Sequence, residues 1–504
     1  MPARSAEPTA ARPRRSADHL RQWLRDELAA RLAVGPGDIR DDAPFAQLGL
    51  DSLRAVSLVE ALGHEVGRPL SPAILWAYAS IEALTAYLSG DPAPALDRGP
   101  ARPTARVDEP VAVVGMACRF PQAPDLEAFW RMLCAGTDAV AEIAESRWTG
   151  PADAMATTRA GLLNGPIDEF DPLFFGISPR EAQEMDPQQR LFLEVAWEAI
   201  EDAGVTAAEL TGTRTGVFAG AIWHDYADLA VADPGRLTQH SATGRALNMV
   251  ANRLSYVLGL RGPSVVLDSA CSSSLLAVHM ACQSIWAGES TMAIAGGVNL
   301  LLHPATMVAL TRFGGLSPDG LCKAFDARAD GFGRGEGCGV VVLKPLSRAL
   351  ADGDDIWCVV RGSAANNDGP SNGLTAPNPV AQEETLREAC RRAGVEPARI
   401  AYVETHGTGT MLGDPIEAAA LGKVLGAGRT AEAPLVIGSV KTNLGHLEAA
   451  AGIAGFIKTA LCVRRRRIPP NLHFATPNPH IPFDEWRLRV PRALEEWPSP
   501  ALSP

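Results

Sequence analysis

The stretch SVVLDSACSSSLLAVHMAC runs from Ser264 to Cys282. Its first part is a short β-branched run that reads as a buried strand, and its last part is an apolar run long enough for a helix. Between them stand a thiol, Cys271, and three serines, Ser272 to Ser274. A thiol at a helix N-terminus faces free backbone amides and the positive end of the helix dipole. Both favour thiolate, so the Cys271 pKa is expected to fall below the reference of about 8.5. The serines are expected to satisfy the amides of the first turn. The helix is apolar almost all round and is expected to be buried. On its own the pattern fits a nucleophile or an inert buried cysteine equally; the second reading suits Cys282.

Working outward, further apolar runs read as buried strands: VAVVGMA, TGVFAGA, MAIAGGVNLLL, GVVVLKPL, AYVETHG and LVIGSVK. Helical segments separate several of them. In QQRLFLEVAWEAIEDAG, Phe192, Leu193, Ala196, Trp197 and Ile200 share one face, and Gly204 supplies a stop. Such alternation predicts an α/β fold with its sheets covered on both faces.

Two composition breaks precede this region. Residues 1–15 are rich in Ala, Pro and Arg and read as a disordered tail, and residues 91–108 read as a Pro/Ala-rich linker. Between them, residues 16–90 form a small all-α module whose first helix aligns Leu20, Leu24, Leu28 and Leu32 beside Trp23. Residues 109–504 form the large domain. The formal charge of −12 argues against nucleic acid as a partner, and no apolar stretch has the length of a membrane span. Nine cysteines, an odd number without a C-x-x-C pair, fit reduced thiols in a cytoplasm. No metal site is expected, because no Cys/His group has zinc-ligand spacing.

A nucleophilic thiol needs assistance. His406, in VETHGTGTMLGDPIEA, and His446, in GSVKTNLGHLEAAAGIAGFIK, each follow an apolar strand and stand among glycines that let a substrate approach the backbone. Either histidine taken alone would more often be a packed or exposed side chain than a functional one. The separation of Cys271 and His406 lies within the roughly 130–150 residues of papain-like proteases, but the local C-G-[SA]-C-[WY] signature is absent. The only G-x-S-x-G, GPSNG, lies in a polar loop, and GFGRGEGCG opens no helix. Thiolase-type cleavage would need a second cysteine in a Gly-rich setting, and Cys462 is not in one.

Together, DSACSSS, VETHGTGT-LGDPIEA and GSVKTNLGHLEAAAG resemble the three signatures of β-ketoacyl synthases, especially those of modular (type I) polyketide synthases. GMACRFP, FDPLFFGISPREAQEMDPQQR and NLHFATPNPHIPF agree with that family in order and spacing. The resemblance implies a thiolase-like α/β fold, five-layered αβαβα with two similar halves, in a homodimer. By that likeness Cys271 takes the growing acyl chain, His406 and His446 assist decarboxylation of a malonyl-type unit, Lys441 orders the site, and Glu448 stands behind the second histidine. The resemblance thus implies an acyltransferase that extends polyketide chains by decarboxylative Claisen condensation.

LGLDSLRAVSLVEAL, within the small module, is similar to the attachment motif of acyl carrier proteins. The likeness implies 4′-phosphopantetheine carried covalently on Ser52. From position alone, Asp51 or Ser52 reads as a helix cap. The implied partners are acyl and malonyl-type thioesters on carrier domains, a phosphopantetheinyl transferase, and an acyltransferase or loading enzyme in trans or downstream. The chain ends at EEWPSPALSP without the Gly-Phe-Gly-Gly-Thr-Asn strand usual in the family, so the large domain is expected to be truncated. The alternative is therefore a non-catalytic carrier or docking protein with an incomplete, inactive ketosynthase domain.

Overall fold

The computed structural model describes residues 16–45, 48, 50, 52–71, 74–89, 109–145, 147–148, 152–231, 235, 237–371 and 373–498. Residues 1–15 and 91–108, read as tail and linker, lie outside them. The chain divides into two compact units: Met1–Thr104 with Asn367–Gln382, and Ala105–Asn366 with Glu383–Pro504.

In the first unit, α1 (Ala17–Leu32), α2 (Ser52–Val66), α3 (Ile74–Ala77) and α4 (Ile81–Ser89) enclose one small core. Ser16 caps α1 by accepting from the His19 amide. Leu20, Leu24 and Leu28 are buried, as their spacing predicts, with Trp23 and Leu32 half-buried beside them. The loop into α2 is anchored by Phe45, which is fully buried and donates its amide to the Ala79 carbonyl at 2.8 Å.

In the second unit, β1 (Val111–Arg119), β2 (Thr215–Gly220), β3 (Ser264–Leu267), β4 (Met292–Asn299), β5 (Gly337–Pro345) and β6 (Cys358–Val360) form one mixed sheet. Its order is β3-β2-β4-β5-β1-β6, with β2 parallel to both β3 and β4 and the remaining pairs antiparallel. Strand alternation sends Val111 and Val113 to one face and Ala112 and Val114 to the other. The second face packs against α5 (Pro187–Asp202) and α6 (Met249–Leu258). There Phe192, Leu193, Ala196 and Ile200 are buried, while Trp197 is half-buried and packs on Phe174.

The first face packs against α7 (Ser273–Trp286) and, further along the chain, α9 (Ala451–Arg465). Beyond them lies a parallel sheet of β7 (Tyr402–Glu404), β8 (Leu435–Gly438) and β9 (Leu488–Arg489), with β8 central. Its outer side is covered by α8 (Gly413–Leu421), through Ala418 and Leu421. The layers therefore run helix, sheet, helix, sheet, helix. The two halves differ in width: among the described residues the second sheet has three strands to the first sheet's six.

Two sequence expectations are corrected. The run in β3 was expected to be buried, but β3 is an edge strand with a neighbour on one side only, and Val265 is 39% exposed. Helix α7 is not buried all round either: Leu275 and Met280 are 51% and 40% exposed, because α7 is covered by the first sheet and α9 but not on that side.

Candidate active site

The chain leaves β3 through Asp268 and Ser269 and turns at Ala270, whose φ of +53° lies in the left-handed region. That conformation costs a non-glycine residue about 1 kcal/mol or more, so surrounding bonds must hold it. They are supplied by the serines. Ser273 Oγ accepts from the Ser269 amide at 2.9 Å and donates to the Ala270 carbonyl at 2.6 Å. Ser272 Oγ donates to the Ser269 carbonyl, and Ser274 Oγ accepts from the Ile453 amide at the start of α9. The expectation that these serines cap the first turn of α7 is thus corrected: the hydroxyls brace the elbow and tie it to α9. Close approach makes this possible. A Cβ on Gly220, at the end of β2, would stand 2.7 Å from the Ser274 amide nitrogen.

Cys271 occupies the tight turn between Ala270 and α7 and is partly exposed. Burial pushes its thiol above the ordinary value, outweighing the Lys441 ammonium and its own amide, which both favour thiolate. This differs from the lowered pKa expected from the helix terminus: desolvation of the anion outweighs the nearby groups that favour it.

His406 follows β7 in a loop clamped by Glu417 of α8. One Glu417 carboxylate oxygen accepts from the His406 amide at 2.6 Å, the other from the Gly407 amide at 2.8 Å. Gly407 adopts a φ of +41°, and a Cβ there would meet Ser439 at 2.7 Å. Because His406 is held through its backbone, its ring projects free of the clamp, and the residue is solvent-exposed.

His446 follows β8 and is buried. Its amide donates to the Gly333 carbonyl at 2.6 Å, and its ring packs beside Phe332. The Glu448 amide donates to His446 Nδ1 at 2.8 Å. An accepting Nδ1 in a neutral imidazole places the proton on Nε2. Burial first, then the neighbouring Lys441, His406 and Arg334, push His446 well below the usual imidazole value. Although His406 as a residue is exposed, the part of its ring turned into the site is desolvated, and this, then Lys441, lowers it as well. Both rings are therefore neutral at pH 7.

The structure brings these three together. Cys271 Sγ and a ring nitrogen from each histidine lie within 4.8 Å of one another. The two rings stand 5.6 Å apart, nearly perpendicular at 82°. Lys441 is buried, at the first position of the four-residue helix Lys441–Leu444, and its charge reaches all three side chains. Glu448 stands behind His446: its backbone orients the ring, while its carboxylate accepts from Arg334 Nε at 2.5 Å and Nη2 at 2.9 Å, and from Trp223 Nε1.

Sequence reasoning missed Arg334, Trp223, Glu417 and Glu404. Glu404 joins Tyr402, Lys458 and the Val440 amide beneath Lys441. Arg334 lies within GFGRGEGCG and Glu417 within GDPIEA, so both strings were visible, but nothing in them discloses what the side chain clamps.

Ser52 is the first residue of α2, in the first unit, and its side chain lies outside the described residues, as does Asp51. A position at the N-terminus of a 15-residue helix suits a phosphodiester, because first-turn amides face it.

The β-ketoacyl synthase N-terminal domain matches residues 108–349, its C-terminal domain residues 357–475, and the phosphopantetheine attachment site domain residues 22–88. The solved ketosynthase from module 6 of the bacillaene synthase of Bacillus subtilis is 41% identical, with a TM-score of 0.72 over 78% of this chain and 68% of that one. The chain belongs to the β-ketoacyl synthase family. The oxazolomycin ketosynthase domain from Streptomyces albus is also 41% identical, with a TM-score of 0.73 over 77% of this chain and 69% of that one. The fold of the ketosynthase region is thus thiolase-like, and a phosphopantetheine carrier domain precedes it. A phenolphthiocerol/phthiocerol polyketide synthase from Mycobacterium tuberculosis is 52% identical over 491 residues, 95% of this chain. Polyketide synthase GfsA from Streptomyces halstedii is 54% identical over 402 residues, 78% of this chain. This chain spans 26% and 5% of those two polyketide synthases.

Proposed function

We propose that the chain extends polyketide acyl chains, with residues 16–90 as carrier and residues 109–504 as ketosynthase, joined by the linker 91–108. Cys271 Sγ attacks the carbonyl of an acyl thioester; the acyl group passes to sulfur and the departing thiol takes a proton. A malonyl-type thioester then binds beside His406 and His446. As its carboxylate leaves as CO2, the Nε2–H of His446 donates to the thioester oxygen on which enolate charge develops, with His406 beside it. The carbanion attacks the acyl carbonyl on Cys271, forming the carbon–carbon bond and releasing the cysteine sulfur. Lys441 supplies positive charge, and Glu448 orients His446 through its backbone. The observation that carries this reading is the convergence of the Cys271 thiol with two neutral imidazoles, one fixed as an Nε2–H donor.

Ser52 would hold 4′-phosphopantetheine. Once attached, that group supplies a thiol that carries acyl chains as thioesters. Ser52 itself provides the hydroxyl for the phosphodiester, and the first turn of α2 the amides beside it. The partners of this reading are acyl and malonyl-type thioesters on carriers, a phosphopantetheinyl transferase, and an acyltransferase in trans or downstream. A homodimer formed along β3 is supported by the open edge and the half-exposed Val265. A cytoplasmic setting is supported by nine free cysteines; among the described residues no helix is long and apolar enough to cross a membrane. The non-catalytic alternative has no comparable support, since thiol, imidazoles and clamps are assembled together.

Intact mass after incubation with coenzyme A and a phosphopantetheinyl transferase tests the carrier role. A mass gain lost in Ser52→Ala is expected; a gain unchanged in that variant refutes it.

A further inference from the structure

Lys441 is buried, and its charge reaches the thiol and both imidazoles. Among the described residues its ammonium forms no ion pair, so the backbone that carries it must set where the charge stands. That backbone is a short turn. Strands β7 and β8 pair in parallel, with Val436 beside Tyr402, Ile437 beside Val403 and Gly438 beside Glu404. The Thr405 amide and hydroxyl both donate to the Gly438 carbonyl, and beyond that point the two chains part. One leads to His406, the other through Val440 to Lys441 and on to His446.

A single side chain spans this fork. Glu404 Oε1 accepts from the Val440 amide, one residue before Lys441, while its own backbone stands two residues before His406. Glu404 Oε2 accepts from the Tyr402 hydroxyl and from Lys458 Nζ of α9, the latter at 2.7 Å. The pair is buried: the Lys458 and Glu404 side chains are 1% and 9% exposed. A charged acceptor makes the bond to the Val440 amide stronger than a neutral one would. With three donors on its two oxygens, the carboxylate is committed to the protein and not to a proton in transit. Two glycines leave room for it. A Cβ on Gly455 of α9 would stand 3.0 Å from Glu404 Cγ, and one on Gly438 would stand 3.1 Å from the Tyr402 hydroxyl oxygen.

We propose that Glu404 is a positioning residue: by holding the Val440 amide it locks the turn bearing Lys441 against the strand end that leads to His406. Tyr402 and Lys458 hold the carboxylate in place for that bond, and the Lys458 ammonium offsets its desolvation. A displacement of about 1 Å is the scale at which a misplaced group costs on the order of a hundredfold in rate. The proposal deepens the condensation reading and rests on it for what the positioned charge accomplishes.

Two variants of the full chain separate this bond from the buried charges. Both carry Lys458→Met and Tyr402→Phe. One adds Glu404→Gln, whose carbonyl can still accept the Val440 amide; the other adds Glu404→Leu, which offers no acceptor. The readouts are the carbon-13 Cε1 resonances of His406 and His446 at about pH 7, assigned with His406→Gln and His446→Gln, iodoacetamide alkylation of Cys271 followed by peptide mapping, and CO2 release from a malonyl thioester. The glutamine variant is expected to match the parent chain in all of them. In the leucine variant both resonances move, and alkylation slows several-fold as Lys441 ceases to favour the thiolate. Its CO2 release falls about tenfold to a hundredfold. If the leucine variant does not fold, Glu404→Asp takes its place: it keeps the charge for Lys458, withdraws it by one methylene from Val440, and is expected to give the same changes. Resonances and alkylation alike in the glutamine and leucine variants, or unchanged in Glu404→Asp, overturn the proposal. A parent chain that releases no CO2 refutes the condensation reading, while the resonances and the alkylation still decide the role of Glu404.

Discussion

Arg334 is fully buried, and its guanidinium grips both carboxylate oxygens of Glu448 while stacking near Trp223. Arg334→Met retains much of the volume but deletes the charge. The Glu448 side chain, only 7% exposed, is then left with the Trp223 indole as its remaining donor among these contacts. Removing one partner of a buried ion pair costs about 3–5 kcal/mol, because the other charge stays desolvated without compensation. Set against a total stability of about 5–15 kcal/mol, that is a large fraction. Urea unfolding monitored by tryptophan fluorescence measures the loss. Arg334→Met combined with Glu448→Gln removes both charges, so the double variant is expected to be more stable than the sum of the singles predicts, by about 2–3 kcal/mol. The same loosening releases the Glu448 amide that holds His446 Nδ1. A loss within about 0.5 kcal/mol, or strict additivity in the double variant, refutes the assignment of this clamp.

Two further predictions concern the elbow and its thiol. Since burial holds the Cys271 pKa above the ordinary value, little thiolate exists at neutral pH; iodoacetamide alkylation should rise about tenfold per unit between pH 7 and pH 9, and a plateau by pH 7 would contradict this. Gly220→Ala places a Cβ 2.7 Å from the Ser274 nitrogen and 2.9 Å from the Ser273 carbonyl carbon, backbone atoms that cannot step aside cheaply. It should cost about 1–3 kcal/mol in urea unfolding and change Cys271 alkylation, and an unaltered midpoint would show that the elbow is not so tightly seated.

Seven of the strands were legible as β-branched runs, because each buries both faces or ends at a functional loop. The short strand Cys358–Val360 was not, since three residues carry no periodicity and its pairing with β1 is fixed by tertiary contact. β3 looked buried because an apolar run does not disclose whether a strand is central or at an edge. Cys271, His406 and His446 were each visible as chemistry in a loop. Their convergence was carried by the family resemblance alone and not by their spacing, since they follow three different strands, β3, β7 and β8. The thiol pKa was misjudged for a related reason: a helix terminus can be read from sequence, whereas desolvation depends on the finished fold. Glu417 and Arg334 act through backbone amides and a buried ion pair, which leave no spacing signature.

The most direct measurement loads an acyl group on the chain, maps it, and then supplies a malonyl thioester, following CO2 release and the 3-ketoacyl product by mass spectrometry. The account predicts acyl on Cys271 and product from the parent chain, acylation without product from His446→Ala, and neither from Cys271→Ala. Product formed at the parent rate by His446→Ala, or an acyl group mapped elsewhere on a folded chain, would contradict it.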